Sequence, residues 1–199
     1  LIKNEEKENI EKLILTASGG PFLKKKIKNI SNIKPIEATR HPKWKMGKKI
    51  SIDSATMINK VYEIIEAKNI FNIPYKKIDI LVHPKSYIHS IIKFKNGLVK
   101  IIAHETTMKI PIFNTLYNDS EKSLKTPKIN IKKLNNLEFN SIEKKRYPIT
   151  RLLYYLNAKN SLFETAIVSA NDTLVELFLK KKISFNEINK NLFKILLDK

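Results

Sequence analysis

The apolar positions of the chain change period several times, and each change marks an element. Residues 13–22 (LILTASGGPF) run from an apolar segment, readable as a strand or a helix end, into a turn of small residues. Gly19 and Gly20 permit backbone conformations closed to other residues, and Pro21 stops continuation. Residues 35–49 (PIEATRHPKWKMGKK) follow neither period 2 nor period 3.6 and read as a loop, although they carry Trp44 and Met46. Met57, Ile58, Val61, Ile64 and Ile65 then recur at helical spacing through about Lys68, with Asp53 or Ser54 as the N-cap. Residues 77–82, 87–94 and 98–104 are β-branched runs that predict strands. Asn96-Gly97 joins the last two as a hairpin. Residues 118–141 lose the pattern to Lys, Asn and Ser around Pro127 and read as a linker. After Pro148 the helical period returns in residues 151–156, 163–179 and 185–197 with no strand between them, which predicts a small bundle. The reading is an α+β fold: an α/β domain with a mostly antiparallel sheet over residues 1–117, a linker over 118–145, and a C-terminal α-helical bundle over 146–199.

Composition narrows the possibilities further. The 199 residues contain no cysteine, which excludes a disulfide scaffold, a thiolate metal site and a cysteine nucleophile. No apolar run reaches the roughly 20 residues of a membrane helix, so no membrane partner is expected. The net charge of +19 is carried almost wholly by lysine: the chain has 35 Lys and three Arg, beside 31 Ile and 20 Asn. Lys, Ile and Asn share A/T-rich codons, so nucleotide bias accounts for the charge without a polyanion partner. A surface that clamps phosphates or reads bases favours the bidentate fork of Arg, and the lysines are scattered through every segment; nucleic-acid binding is not expected. The chain begins with Leu1 and carries no signal or transit pattern, and a start inside a larger protein is the simplest account.

Three of the four glycines, Gly19, Gly20 and Gly47, fall in the two irregular segments. A Ser-Gly-Gly turn offers a hydroxyl and backbone N–H groups, the parts of a phosphate nest, although most such turns are only turns. The predicted helix start at Ser54 adds unpaired N–H groups and partial positive charge. Asn59, Lys60 and Glu63 share one side of that helix. On periodicity alone their spacing favours an exposed polar face with a Lys–Glu pair over the alternative, a phosphate subsite beside a carboxylate metal ligand. His41 and His83 each precede a proline at the end of an element, whereas His89 and His104 read as structural.

Together the strings LTASGGPF (residues 15–22), ATRHPKWKMGKKISIDSATMINK (38–60) with Glu63, LVHPKSYIHS (81–90), RYP at Arg146 and SAND at Ser169 resemble the 1-deoxy-D-xylulose 5-phosphate reductoisomerase family over nearly the whole chain. The resemblance implies NADPH- and divalent-metal-dependent (Mg²⁺ or Mn²⁺) conversion of 1-deoxy-D-xylulose 5-phosphate to 2-C-methyl-D-erythritol 4-phosphate in non-mevalonate isoprenoid biosynthesis. It further implies a homodimer in a bacterial cytoplasm or a plastid-like organelle. By the same resemblance Ser18, Ser54, Asn59 and Lys60 hold the substrate phosphate and Glu63 is one metal ligand of three. The segment from Arg40 to Lys48 resembles a mobile loop in which His41 contacts substrate, Trp44 covers it, and Met46 and Gly47 border the nicotinamide. One of His83 and His89 corresponds to a second histidine beside the substrate.

Departures from the family pattern set limits. No Gly-rich strand-turn-helix for a dinucleotide is present, and the family's Asp-Ser-Glu metal ligands are not found before the Ser-Gly-Gly turn. The tripeptide Asp119-Ser120-Glu121 lies in the linker and reads as chance. Ala17 stands where the family often has Gly, Lys85 follows His83-Pro84, and HETTMKIP (residues 104–111) stands where the family reads closer to GEPDMRTP. The expectation is a partial reductoisomerase chain, inactive by itself. The alternatives are a non-catalytic remnant acting as a binding or dimerisation module, and a basic polyanion binder.

Overall fold

The computed structural model describes residues 6–41, 46–117, 122–159 and 161–198. The first apolar run is a strand, β1 (Ile10–Ala17), with Ile10, Leu13 and Ala17 buried. A one-turn helix, α1 (Pro35–Ala38), leads to α2 (Lys48–Thr56) and α3 (Ile58–Phe71). Three strands follow, β2 (Ile78–Val82), β3 (Ile88–Phe94) and β4 (Val99–Ala103). The helices α4 (Lys109–Leu116) and α5 (Ile131–Asn135) precede a 3₁₀ helix at Pro148–Tyr155. The chain ends in α6 (Leu162–Leu179) and α7 (Phe185–Leu197), each opened by a serine capping box.

The sheet has the order β2-β1-β3-β4. β1 runs parallel to β2, as a crossover through α2 and α3 requires, and the other two pairings are antiparallel. The fold is therefore α+β with a mostly antiparallel sheet. At the hairpin Gly97 has φ +88° and its N–H donates to the Phe94 carbonyl at 3.0 Å, which makes a three-residue loop closed by a left-handed glycine.

One helix start differs from the sequence reading. Neither Asp53 nor Ser54 caps a helix: α2 begins six residues before Ser54, after Gly47, and ends where Met57 takes φ +74°, from which α3 departs. Residues 35–49 accordingly include α1 and the first two residues of α2. Hydrophobic periodicity missed α2 because Ser51, Asp53 and Thr56 are buried on it beside Ile52 and Ala55, and a buried polar residue leaves no apolar signal. Asp53 is 2% exposed. It accepts from Lys49 Nζ at 2.8 Å and Asn171 Nδ2 at 2.9 Å, and Lys49 also pairs with Asp172 at 2.9 Å. The SAND string thereby clamps α6 onto α2. Burial pushes the Asp53 carboxyl above its ordinary value, against the lowering effect of Lys49 and Asn171.

One hydrophobic cluster joins the sheet, α2 and α3 to Tyr147, Leu152, Ile167, Phe178 and Ile188 of the C-terminal segment. Phe185 meets Phe22 and Phe178 edge-on, with ring centroids 5.4 and 5.6 Å apart. The stretch between α4 and the 3₁₀ helix is also tied down, because Asn140 exchanges two backbone hydrogen bonds with Val82. No helix among the described residues is long and apolar enough to cross a membrane.

Candidate active site

The turn after β1 is the floor of a cavity of about 600 Å³ bounded by the α2–α3 junction and β3. Gly20 sits at φ +65°, and a Cβ there would lie 2.7 Å from the Ser54 carbonyl oxygen. Glycine is thus required twice, for the left-handed backbone and for the close approach to α2. The turn is held from the far side by the RYP string. Tyr147 Oη donates to the Gly19 carbonyl at 2.7 Å, and Arg146 Nη1 donates to the carbonyls of Phe22 (2.9 Å) and Lys25 (2.6 Å).

Ser18 Oγ accepts from the Gly20 N–H at 3.1 Å and lies 3.1 Å from His41 Nε2. Burial pushes the His41 imidazole below its ordinary value, so the ring is neutral at neutral pH. Ser54 reaches the same cavity from the last turn of α2, and Asn59 and Lys60 reach it from the first turn of α3. Lys60, 8% exposed, donates to the Thr16 carbonyl at 2.7 Å and to Glu63 Oε2 at 2.5 Å. Asn59 Nδ2 donates to the other Glu63 oxygen at 2.7 Å. The cavity therefore carries a buried cation, two hydroxyls and an amide, a set suited to a phosphate monoester. Met46, Gly47, Ile50, Met57 and Met108 supply its less polar walls.

The two histidines left open by the sequence separate here. His89 lines the cavity. Its pKa is pushed down to about 4, chiefly by burial and further by the charges of His104, Lys60 and His83, against a hydrogen bond to the His104 backbone. His83 is fully buried outside the cavity lining, stacked on Phe139 with its Nδ1 2.7 Å from the Glu138 carbonyl oxygen. Trp44 and the Asp119-Ser120-Glu121 tripeptide lie outside the described residues.

Sequence reasoning named no role for Ser86. It lines the cavity at φ +50°, with a buried hydroxyl that has no hydrogen-bond partner among the described residues. Its place within HPKSYIHS, three residues before His89, was the available signal. Met108 was missed because a methionine in a loop carries no spacing to read.

Residues 1–71 match the 1-deoxy-D-xylulose 5-phosphate reductoisomerase C-terminal domain, and residues 104–199 match a second domain described as DXP reductoisomerase C-terminal. The chain belongs to the 1-deoxy-D-xylulose 5-phosphate reductoisomerase family. It is 55% identical over 195 residues to the reductoisomerase of Pelagibacter ubique, covering 98% of this chain and 50% of that protein. The crystal structure of a DOX-P reductoisomerase in complex with NADPH, fosmidomycin and magnesium superimposes with a TM-score of 0.89 at 38% identity, over 96% of this chain and 47% of that one. The Zymomonas mobilis reductoisomerase in complex with NADPH gives 0.85 at 34% identity, over 94% and 48%. The chain spans about half the length of the reductoisomerases it matches.

Among the described residues no three His, Cys, Asp or Glu side chains converge. Glu63 is the one carboxylate at the cavity, and both its oxygens are engaged by Asn59 and Lys60. A hard divalent cation takes about six oxygen ligands, so these residues do not by themselves fit a metal site. Nor do the described residues hold a dinucleotide fold; Met46 and Gly47 offer a wall and no phosphate cradle.

Proposed function

We propose that this chain is the substrate-binding and C-terminal part of a 1-deoxy-D-xylulose 5-phosphate reductoisomerase. The complete protein, in this reading, converts 1-deoxy-D-xylulose 5-phosphate to 2-C-methyl-D-erythritol 4-phosphate with NADPH and Mg²⁺ or Mn²⁺. The observation that carries the reading is the convergence of Ser18, Ser54, Asn59 and Lys60 on one cavity from three separate elements.

In that cavity the Lys60 ammonium offsets the phosphate charge, and it stays oriented because Thr16 and Glu63 already hold it. The Ser18 and Ser54 hydroxyls and the Asn59 amide complete the hydrogen bonds. His41 and His89, both neutral at neutral pH, border the sugar portion, whereas His83 supports the strand end. Ser86 donates or accepts at the same wall. Glu63 supplies one carboxylate; the remaining metal ligands and the dinucleotide fold belong to the half of the family's length that this chain does not span. Residues 1–117 form the substrate and metal part in this assignment, 118–145 the connection and 146–199 the closing bundle.

A homodimer belongs to the same reading. β4 is an edge strand whose Val99 and Ile101 are exposed, and α4 exposes Ile112 and Leu116; exposed apolar side chains of this kind are what protein interfaces cover. The same reading puts the reaction in a bacterial cytoplasm or a plastid-like organelle, and the bacterial relatives support the first.

The test is NADPH oxidation by the complete protein supplied with 1-deoxy-D-xylulose 5-phosphate and Mg²⁺. Lys60→Met and Glu63→Gln are each expected to lower kcat/KM by about 10²-fold or more while leaving the far-UV spectrum and unfolding cooperativity intact. Unchanged turnover in both variants would sink the assignment of α3 to the site. No metal-dependent reduction by the wild-type protein would leave a non-catalytic binding or dimerising module.

A further inference from the structure

His89 owes its direction to an irregularity in β3. Ile88 pairs with Ala103 and Ser90 with Ile102, so His89 is the extra residue of a bulge. A bulge bends its strand and re-aims the side chain it carries; here that ring becomes part of the cavity wall.

Behind it stands a second imidazole. His104 leaves β4 directly after Ala103, tied back by its N–H to the Tyr87 carbonyl at 3.0 Å. Its ring lies nearly parallel to the His89 ring, with centroids 3.7 Å apart and an angle of 16° between the planes. His89 Nε2 is 3.1 Å from the His104 carbonyl oxygen. A carbonyl only accepts, so Nε2 carries the proton and the neutral ring has its lone pair on Nδ1. The His104 ring is locked in turn, because its Nδ1–H donates to the Glu105 carbonyl at 2.7 Å. The Glu105 side chain pairs with Lys133 of α5, whose ammonium sits 5.3 Å from the Tyr87 ring centre. His104 is not among the cavity-lining residues. A glycine at this position, where the pattern resembled by HETTMKIP begins, would keep the carbonyl and remove the ring.

We propose that His104 is a positioning residue for the site: its stacked ring holds His89 in the one orientation in which Nε2–H meets the His104 carbonyl, and that hydrogen bond in turn fixes the tautomer at the cavity wall. Preorganisation of this kind lowers the ordering cost of binding, and so acts on affinity for the sugar phosphate more than on the chemical step. The ligand named here rests on the function proposed above; the ring packing does not.

Ring-nitrogen NMR on protein carrying isotope-labelled histidine reads the tautomer directly. Wild type is expected to show His89 as a fixed Nε2–H tautomer. His104→Ala and His104→Gly are expected to move it toward tautomer exchange with the backbone amide spectrum unchanged outside β3 and β4. His104→Phe, which keeps a flat ring, is expected to restore the wild-type signals. In the complete protein the KM for 1-deoxy-D-xylulose 5-phosphate should rise about two- to tenfold in His104→Ala, the range set by a stacked aromatic pair, with kcat nearly unchanged and His104→Phe recovering. An unmoved His89 tautomer in His104→Ala overturns the proposal, as does a His104→Phe variant that behaves like His104→Ala. A wild-type protein without turnover overturns the functional reading instead, and the ring spectra then decide the positioning role by themselves.

Discussion

The approach of the Ser-Gly-Gly turn to α2 can be tested by adding a single carbon. In Gly20→Ala the new Cβ would lie 2.7 Å from the Ser54 carbonyl oxygen and 3.1 Å from the Ala55 Cα, both backbone atoms that cannot swing aside. The left-handed backbone at φ +65° adds about 1–2 kcal/mol for a residue with a Cβ. Moving helix and turn apart adds about 1–3 kcal/mol, as for other overpacked sites. Together these predict a loss of about 2–5 kcal/mol. Gly97→Ala is the control, since Gly97 has φ +88° and open space where its Cβ would go; it should lose only the backbone share, about 1–2 kcal/mol. Urea unfolding with equal slopes measures both, and at this size each kcal/mol lowers the thermal midpoint by about 2–4 °C. Because the displaced turn carries Ser18 and the displaced helix carries Ser54, Gly20→Ala should also weaken binding of the sugar phosphate while Gly97→Ala should not. A Gly20→Ala loss no greater than that of Gly97→Ala would refute the argument.

Tyr147→Phe removes the hydroxyl that serves the Gly19 carbonyl at 2.7 Å; a loss of about 1–3 kcal/mol is expected, checked by denaturant midpoint. Asn171→Ala should cost a similar amount, about 1.5–3 kcal/mol for a hydrogen bond to a charged partner, and hydrogen exchange should show α2 opening more often than β1. His89 falls from an ordinary 6.5 to about 4 in the fold, so the unfolded chain binds its proton more readily. Its contribution to stability is complete above about pH 6.5 and is lost as pH falls through about 4. His41, lowered in the same direction by burial, adds to that loss. A thermal midpoint that falls as steeply with acid in His89→Phe as in wild type would show that His89 is not one of the groups responsible.

The last three strands, the hairpin and the two long C-terminal helices were legible because each depends on local chemistry that repeats along the chain, whereas the apolar run of β1 left strand and helix end undecided. β-branched runs, a glycine free to turn left-handed, and serine capping boxes act within a few residues. The family motifs were legible for the same reason, as unbroken strings. Three features belonged to the tertiary structure. α2 was hidden because Ser51, Asp53 and Thr56 face the interior, where Asn171, 118 residues away in sequence from Asp53, supplies a hydrogen bond that makes burial tolerable. That His89 lines the cavity while His83 is buried beside Phe139 depends on a bulge in β3 and on long-range packing, neither of which has a sequence period. The proposed phosphate-binding set is drawn from β1's turn, α2 and α3. A sequence can name the donors one by one, but only packing brings Ser18, Ser54 and Lys60 to the same cavity, because the distances between elements are set by the core between them and not by the chain that joins them.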